Sequence, residues 1–521
     1  MLTRMTGWTS VVALAALLAP AAALHTQDDP LGSITEAELR DHIFYLASDY
    51  LGGRDAHEQG YMLAAEYGAI HFAAAGLRTM FTDSAGRASF FQQVPFEYVA
   101  VDSSTVLRVT TDGTESVYRV GEDLIAQQIF TPGSAPVSGT PVFLGYGIEE
   151  PELGWNDYAD VDIAGKIVVI VSGAPTRNGE PVLPQERHDV YASFQRGAQS
   201  RIMAAMNRQP AAVILLPDSA FMGLWPQAVT ASTRSSLRPA QSGGTGLWLI
   251  VPQPAAAAGL LAAAGFDAAS PATAYTPGPL EDVHVSLEPA LDVEPAFRSP
   301  NVVGLLPGTD SVLQHEYVVV TAHLDHIGTR GGEVFNGADD NASGCAAVIE
   351  AAEAAAMTPA QRSILFVLLT SEEDGLLGAQ YFADNPPVPI EQIVLNINLD
   401  MVGRNSPEFP DVLLAMGSEH RRPELLQLIR DVNERAGATL DWRLNEGPDP
   451  HGHVQRSDQM AFMRKGIPAI LITRGFMGPD YHEASDDPET INYRKVLHAA
   501  RLAFGLAVEA ANRERLFEND E

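Results

Sequence analysis

Residues 364–384 read ILFVLLTSEEDGLLGAQYFAD. An apolar run, Ile364 to Leu369, ends in Thr-Ser and then in two adjacent glutamates, Glu372 and Glu373. Gly375 follows, and then a helical pattern. The run is apolar at consecutive positions, as in a strand covered on both faces. Two carboxylates side by side repel each other, so the end of this strand poses a chemical question as well as a structural one.

The same arrangement recurs along the C-terminal half. From Ser299 onward, strand candidates NVVGLL, YVVVTA, SILFVLL, IVLNINL, DVLLAM and PAILIT alternate with helical stretches such as Gly344–Ala356 and Glu419–Ala436. Such alternation predicts an α/β fold, with a mixed, largely parallel central sheet flanked by helices on both faces. In these sheets, sites form at the carboxyl ends of the strands. Here YVVVTA runs into His323-Leu324-Asp325-His326, SILFVLL into Glu372-Glu373 and IVLNINL into Asp400. Between the first two lies the Gly-flanked acidic loop NGADDNASG, Asn336–Gly344, and near the end PDYHEASDD carries His482. Taken singly, each residue has an ordinary structural use as a turn former, a helix cap or a solvated charge. Together, His, Asp and Glu at successive strand ends are a donor mixture suited to zinc or a similar divalent ion.

The chain has 521 residues, enough for at least two domains. Its net charge of −33, with Lys166, Lys465 and Lys495 as the only lysines, repels nucleic acid and anionic lipid. Cys345 is the single cysteine, so no intrachain disulfide forms. Arg4 precedes the apolar stretch VVALAALLAPAAAL, and Ala21–Ala23 offer a small-residue cleavage site. This is the layout of a signal peptide over residues 1–23, so an exported, periplasmic or secreted protein with no stable membrane anchor is expected.

Two helical segments, ITEAELRDHIFYLASDYLGG and GYMLAAEYGAIHFAAAGL, are followed by strand-like ASFFQQVPFEYVAV and STVLRVTT. These place an N-terminal part of the main domain at 31–130. Composition shifts near Thr131, where TPGSAPVSGTPVFLGYGI is rich in Gly, Pro and Ser. GKIVVIVSG, RGAQSRIMAAMNRQ and AAVILLPDS then read strand, helix, strand, and a Pro-rich tract closes the unit near Ala296. A separate inserted domain is expected at 131–295, and the larger part of the main domain at 296–515.

At this point the ordered motifs resemble peptidase family M28. They are His323-x-Asp325, Asp340-Asn341-Ala342-Ser343-Gly344, Glu372-Glu373, Asp400 in NLDMVGR and Tyr481-His482. The resemblance is to the catalytic domain of bacterial leucyl aminopeptidases and glutamate carboxypeptidase II. It covers about Ser299–Ala511 plus the N-terminal helices, and PVFLGYGI with DIAGKIVVIVSG resembles a protease-associated (PA), β-rich insert.

The resemblance implies two zinc ions per chain, with cobalt or manganese as substitutes. Asp340 would bridge them, His323 and Asp400 would complete one site, and Glu373 and His482 the other. Asp325 would fix the tautomer of His323, and Asp486 would do the same for His482. Glu372, beside the ions but not bound to them, would be the general base for a metal-bridging hydroxide. The expected reaction is release of N-terminal residues from peptides. A carboxypeptidase on the same scaffold, a one-metal glutaminyl cyclase-like enzyme and a non-catalytic relative are the alternatives. Arg404, Arg456, Asp458 and Tyr481 are the candidates for the substrate pocket. Peptides are the expected partners, and a homodimer is compatible with the sequence.

Overall fold

The computed structural model describes residues 29–517 except 130–134, 178, 207, 241–246, 267–274, 410, 418–422, 447–452 and 476–477. The signal-peptide segment lies outside the described residues. Within them, no helix is long and apolar enough to cross a membrane.

A ten-stranded sheet forms the centre of the catalytic unit. Its middle is parallel: Ser363–Leu369 pairs with Tyr317–His323, which pairs with Ile393–Leu399, which pairs with Ala469–Thr473. The margins are antiparallel, through Leu291–Leu306 on one side and Leu413–Gly417 on the other. The sheet is therefore mixed, and the strands that carry the motifs lie in its parallel middle.

The unbroken apolar runs follow from burial on both faces. Val318, Val320, Ile364, Phe366 and Leu368 point into one core, shared with helices Glu36–Leu46, Gln59–Ala74, Gly344–Ala356 and Tyr493–Asn512. Val319, Leu365, Val367 and Leu369 point into the other, with Phe382 and Phe462. Alternate residues of one strand thus feed two cores, and buried polar residues within these strands, such as Thr321, Asn396 and Asn398, are hydrogen-bonded.

A second unit hangs on an antiparallel ribbon formed by Phe91–Val101 and Leu291–Leu306. The sequence places its start near residue 131, but strands Val106–Thr111, Thr114–Arg119 and Leu124–Ile129 already belong to it. The first two pair with each other, the first also pairs with Val283–Glu288, and the third pairs with Leu247–Pro252. The composition shift near Thr131 lies outside the described residues, and the chain crosses between units at Asp102, whose N–H donates to Ala290 O. The two larger sheets of this unit, of six and four strands, share a core that includes Val109, Val169, Ile214, Trp248 and Val285. Its helix Phe194–Met206 is the part that returns to the catalytic unit's site.

Candidate metal centre

Strand register assembles the first half of the site. Thr321 pairs with Asn398, so His323 and Asp400, each two residues further on, stand side by side at the carboxyl edge. His323 Nε2 lies 3.3 Å from Asp400 Oδ1 and 3.2 Å from Asp340 Oδ1. The second half comes from loops. His482 Nε2 lies 3.3 Å from Asp340 Oδ2 and 3.1 Å from Glu373 Oε2. The two oxygens of Asp340 therefore face different histidines.

Donors around a tetrahedral ion at about 2.1 Å stand about 3.4 Å apart. The four His–carboxylate separations match that spacing, so the residues fit two divalent ions with Asp340 shared. Asp340, His323, Asp400, Glu373 and His482 are brought together as the sequence implies.

Burial opposes charge on Asp340, yet the imidazoles of His323 and His482 hold its carboxyl well below the ordinary range. Glu373 is also lowered: burial and Asp340 work against it, and His326 and His482 prevail. Burial alone would lower His482, but its carboxylate partners push it up to about 10. This mutual stabilisation is the electrostatic pattern a cation would take over.

Glu372 stands apart from these pairings. Its carboxylate lies within 4.8 Å of donor atoms of His323 and Asp400, so it turns toward the centre and not toward solvent. Burial is the main reason its carboxyl is raised well above the ordinary value. Ser371, just before the pair, has φ of 51°, which turns the chain so that both glutamates face inward.

Two carboxylates hold the loops, and each does so differently from the sequence expectation. Asp325 stands 4.0 Å from His323 Nδ1, and the nearer acceptor for that nitrogen is the Asp325 backbone oxygen at 3.2 Å. The Asp325 side chain instead accepts the N–H groups of Glu372 and Glu373, at 3.1 and 3.2 Å. Asp486 does not orient His482. It accepts N–H groups of Asp339 and Asp340 at 3.0 Å, with Arg404 Nη1 at 3.4 Å. The reason is local: both carboxylates sit beneath turns whose N–H groups lack helix or sheet partners.

Asn341 fastens the bridging loop to the strand that ends in Asp400. Its amide donates to Leu399 O and accepts from Gly344 N and Met401 N. Gly344 is required here, since a Cβ would stand 2.6 Å from Leu399 O.

A cavity of about 240 Å³ opens on this centre, lined by Gln199, Asp340, Glu372, Asp400, Met401, Arg456 and Tyr481. Arg456 and Tyr481 are thus on the pocket wall, and Tyr481 stacks on the His482 ring at 3.9 Å. Arg404 is not on that wall. It pairs with Asp480 at 2.7 Å and braces the His482 loop. Asp458 is fully buried behind the wall, next to the Asn398–Ser457 and Asn398–Gln459 hydrogen bonds, and burial pushes its carboxyl up to about 7.

Four residues were not singled out from sequence. His326, buried, places Nδ1 2.8 Å from Glu373 Oε1 and its ring edge against His482. It reaches Asp340 only at 3.9 Å, so His482 is the better-placed ligand for the second position. Its place in HLDH was the available signal. Arg474, directly after the strand Ala469–Thr473, pairs with Asp339 and Asp480. Arg54 holds four backbone carbonyls around the centre, and Gln199 arrives from the inserted unit; neither gives a local signal in sequence.

Residues 301–507 match Peptidase family M28. The chain is 26% identical over 223 residues to Aminopeptidase YwaD of Bacillus subtilis, covering 42% of this chain and 46% of that protein. It is 26% identical over 229 residues to a probable leucine aminopeptidase of Arthroderma otae, covering 42% and 60%. The chain thus spans about half the length of the curated relatives it matches. Among solved structures, an aminopeptidase from Aneurinibacillus sp. strain AM-1 aligns with TM-score 0.46 at 18% identity, over 95% of this chain and 98% of the other. BSAP, a zinc aminopeptidase from Bacillus subtilis, aligns with TM-score 0.45 at 18% identity, over 94% and 99%. The protein carries an M28 metallopeptidase domain.

Proposed function

We propose that the protein is an exported dinuclear zinc aminopeptidase. The observation that carries this reading is Asp340, whose two oxygens face two histidines, each backed by a further carboxylate. His323, Asp340 and Asp400 would hold one ion, and Asp340, Glu373 and His482 the other, with cobalt or manganese as substitutes. When bound, the ions supply Lewis-acid polarisation of a peptide carbonyl and lower the pKa of water. The protein's own groups supply the rest. Glu372 takes a proton from the attacking water and returns it to the departing amine, a task that suits a carboxyl raised by burial. Asp325 fixes the turn from which Glu372 acts, because it holds the N–H groups of both glutamates. Tyr481, Arg456 and Gln199 wall the substrate space. The inserted unit, PA-like in its strand–helix order, serves as a roof to that space.

Arg456 on the wall also favours a second reading, a carboxypeptidase that receives a substrate carboxylate there. Digestion of a peptide library by the metal-loaded protein, read by mass spectrometry, separates the two: loss of N-terminal residues supports the first, loss of C-terminal residues the second. Glu372→Gln is expected to lower turnover by about 10²–10⁴-fold while metal content stays at the parental level. A variant with near-parental rate on every substrate removes Glu372 from the role of base.

A further inference from the structure

On the helical face of the catalytic unit, three helices bring His42, Tyr67, His71, Glu350 and Glu353 together. His42 stands on Glu36–Leu46, Tyr67 and His71 on adjacent turns of Gln59–Ala74, and Glu350 and Glu353 on adjacent turns of Gly344–Ala356. One nitrogen of His42, one of His71 and one oxygen of Glu353 all lie within 4.8 Å of one another. The two imidazole rings meet edge to face, centroids 4.6 Å apart. His71 Nδ1 is 2.9 Å from Glu353 Oε1. His42 Nε2 is 3.2 Å from Glu350 Oε1, and His42 Nδ1 is 2.8 Å from the Tyr67 hydroxyl. The group is dry at its base and open at its mouth: side-chain exposure is 6% for His42 and 4% for Glu350, against 27% for His71 and 38% for Glu353.

Nothing in the peptidase reading uses these residues. Two imidazoles and a carboxylate are a zinc-type donor set, and a carboxylate on the remaining nitrogen of a histidine is the usual means of aiming it. Glutamates near histidines on a helix surface often make hydrogen bonds and nothing more. Here the donors converge from three helices far apart in sequence, and the innermost pair is buried. We propose that His42, His71 and Glu353 bind a divalent transition-metal ion, with Glu350 orienting His42. The open mouth leaves water as the remaining ligand. The proton joining His71 to Glu353 and the Tyr67 hydrogen bond at His42 Nδ1 give way to the ion. Glu350 lies about 9 Å along its helix from Gly344, where the Asp340 loop ends, so this site is separate from the catalytic centre. It staples both N-terminal helices to the helix that begins at the Asp340 loop.

The test is metal counting on the full-length protein, saturated with Zn²⁺, dialysed and analysed by inductively coupled plasma mass spectrometry. The parent is expected to hold one equivalent more than the variant His71→Ala/Glu353→Gln, which keeps its peptidase rate. Asp340→Ala is expected to lose catalytic metal yet keep the helix-face equivalent, so failure of the dinuclear reading and failure of this one give different counts. Glu353→Gln alone preserves side-chain shape and removes only the charge. It is expected to weaken the additional equivalent by at least about tenfold, seen in Co²⁺ titrations by visible absorption. Addition of that equivalent should raise Tm in the parent and not in the double variant. Equal metal counts in parent and double variant overturn the site, as does an unchanged Co²⁺ titration in Glu353→Gln.

Discussion

Arg54 in the catalytic unit and Arg201 in the inserted unit are each only 1% exposed, and among the described residues neither has a carboxylate within ion-pair distance. Both spend their donors on backbone carbonyls. Arg54 donates to Leu324 O at 2.8 Å, Leu46 O at 2.5 Å, Asn336 O at 2.7 Å and Gly337 O at 3.0 Å. Arg201 donates to Tyr146 O at 2.7 Å, to Tyr191 O at 3.4 Å and to Gly173 O. Burial pulls both guanidiniums down, that of Arg201 to about 10. The physical device is the same: a planar, multi-donor cation satisfies carbonyls that irregular loops leave without partners. The difference lies in what hangs on those loops. Three of the carbonyls under Arg54, those of Leu324, Asn336 and Gly337, lie on the segments that carry His323, Asp325 and Asp340, and the fourth, Leu46 O, ends an N-terminal helix. Those under Arg201 belong to loops that seat the helix carrying Gln199. One arginine holds the loops of the candidate metal centre, the other the loops around the helix that carries Gln199.

Arg54→Met should show the larger effect. It leaves four buried carbonyls without donors, at about 1–3 kcal/mol each before relaxation. We expect a stability loss of about 4 kcal/mol or more, together with loss of bound metal and of activity, measured by denaturant titration and metal analysis. A variant that retains parental metal content breaks the claim that Arg54 supports the centre. Arg201→Met should cost about 2–3 kcal/mol, confined to the inserted unit, with metal content unchanged. Hydrogen exchange read peptide by peptide should show faster exchange in residues 146–206 and parental protection in 317–323. Equal loosening of both units would show that the two arginines are not separable supports.

The same contrast explains what was legible in the sequence. The central strands of the sheet announce themselves as apolar runs, and three of them lead into residues that can hold metal, His323, Glu372-Glu373 and Asp400, so fold and part of the ligand set are read from one pattern. His323 and Asp400 meet because strand register aligns them, and Asp340, Glu373 and His482 reach them on loops. The supports were not legible. Asp325 and Asp486 clamp backbone N–H groups, and the sequence does not say which turn comes to rest over which carboxylate. The boundary at residue 131 failed for a related reason. Strands 106–129 alternate like those before them, and only their partners, Val283–Glu288 and Leu247–Pro252, assign them to the inserted unit. Arg404 looked like a pocket cation in sequence, but Asp480 claims it.

The smallest effect, and the sharpest test of the roof, comes from Gln199. It is the one pocket residue contributed by the inserted unit among those lining the centre, and it touches neither the five ligands nor Glu372 through any hydrogen bond among the described residues. Gln199→Ala should therefore leave metal content and kcat near parental values and raise KM by about threefold to tenfold, roughly 1 kcal/mol of binding. The effect should grow with substrate length if the roof contacts residues beyond the scissile bond, and steady-state kinetics on a dipeptide and a pentapeptide read this directly. Arg201→Met should shift KM in the same direction, because Arg201 anchors the same helix two residues further along. If Gln199→Ala lowers kcat with KM unchanged, the inserted unit acts on the chemical step, and the division between a reactive centre and a passive roof is lost.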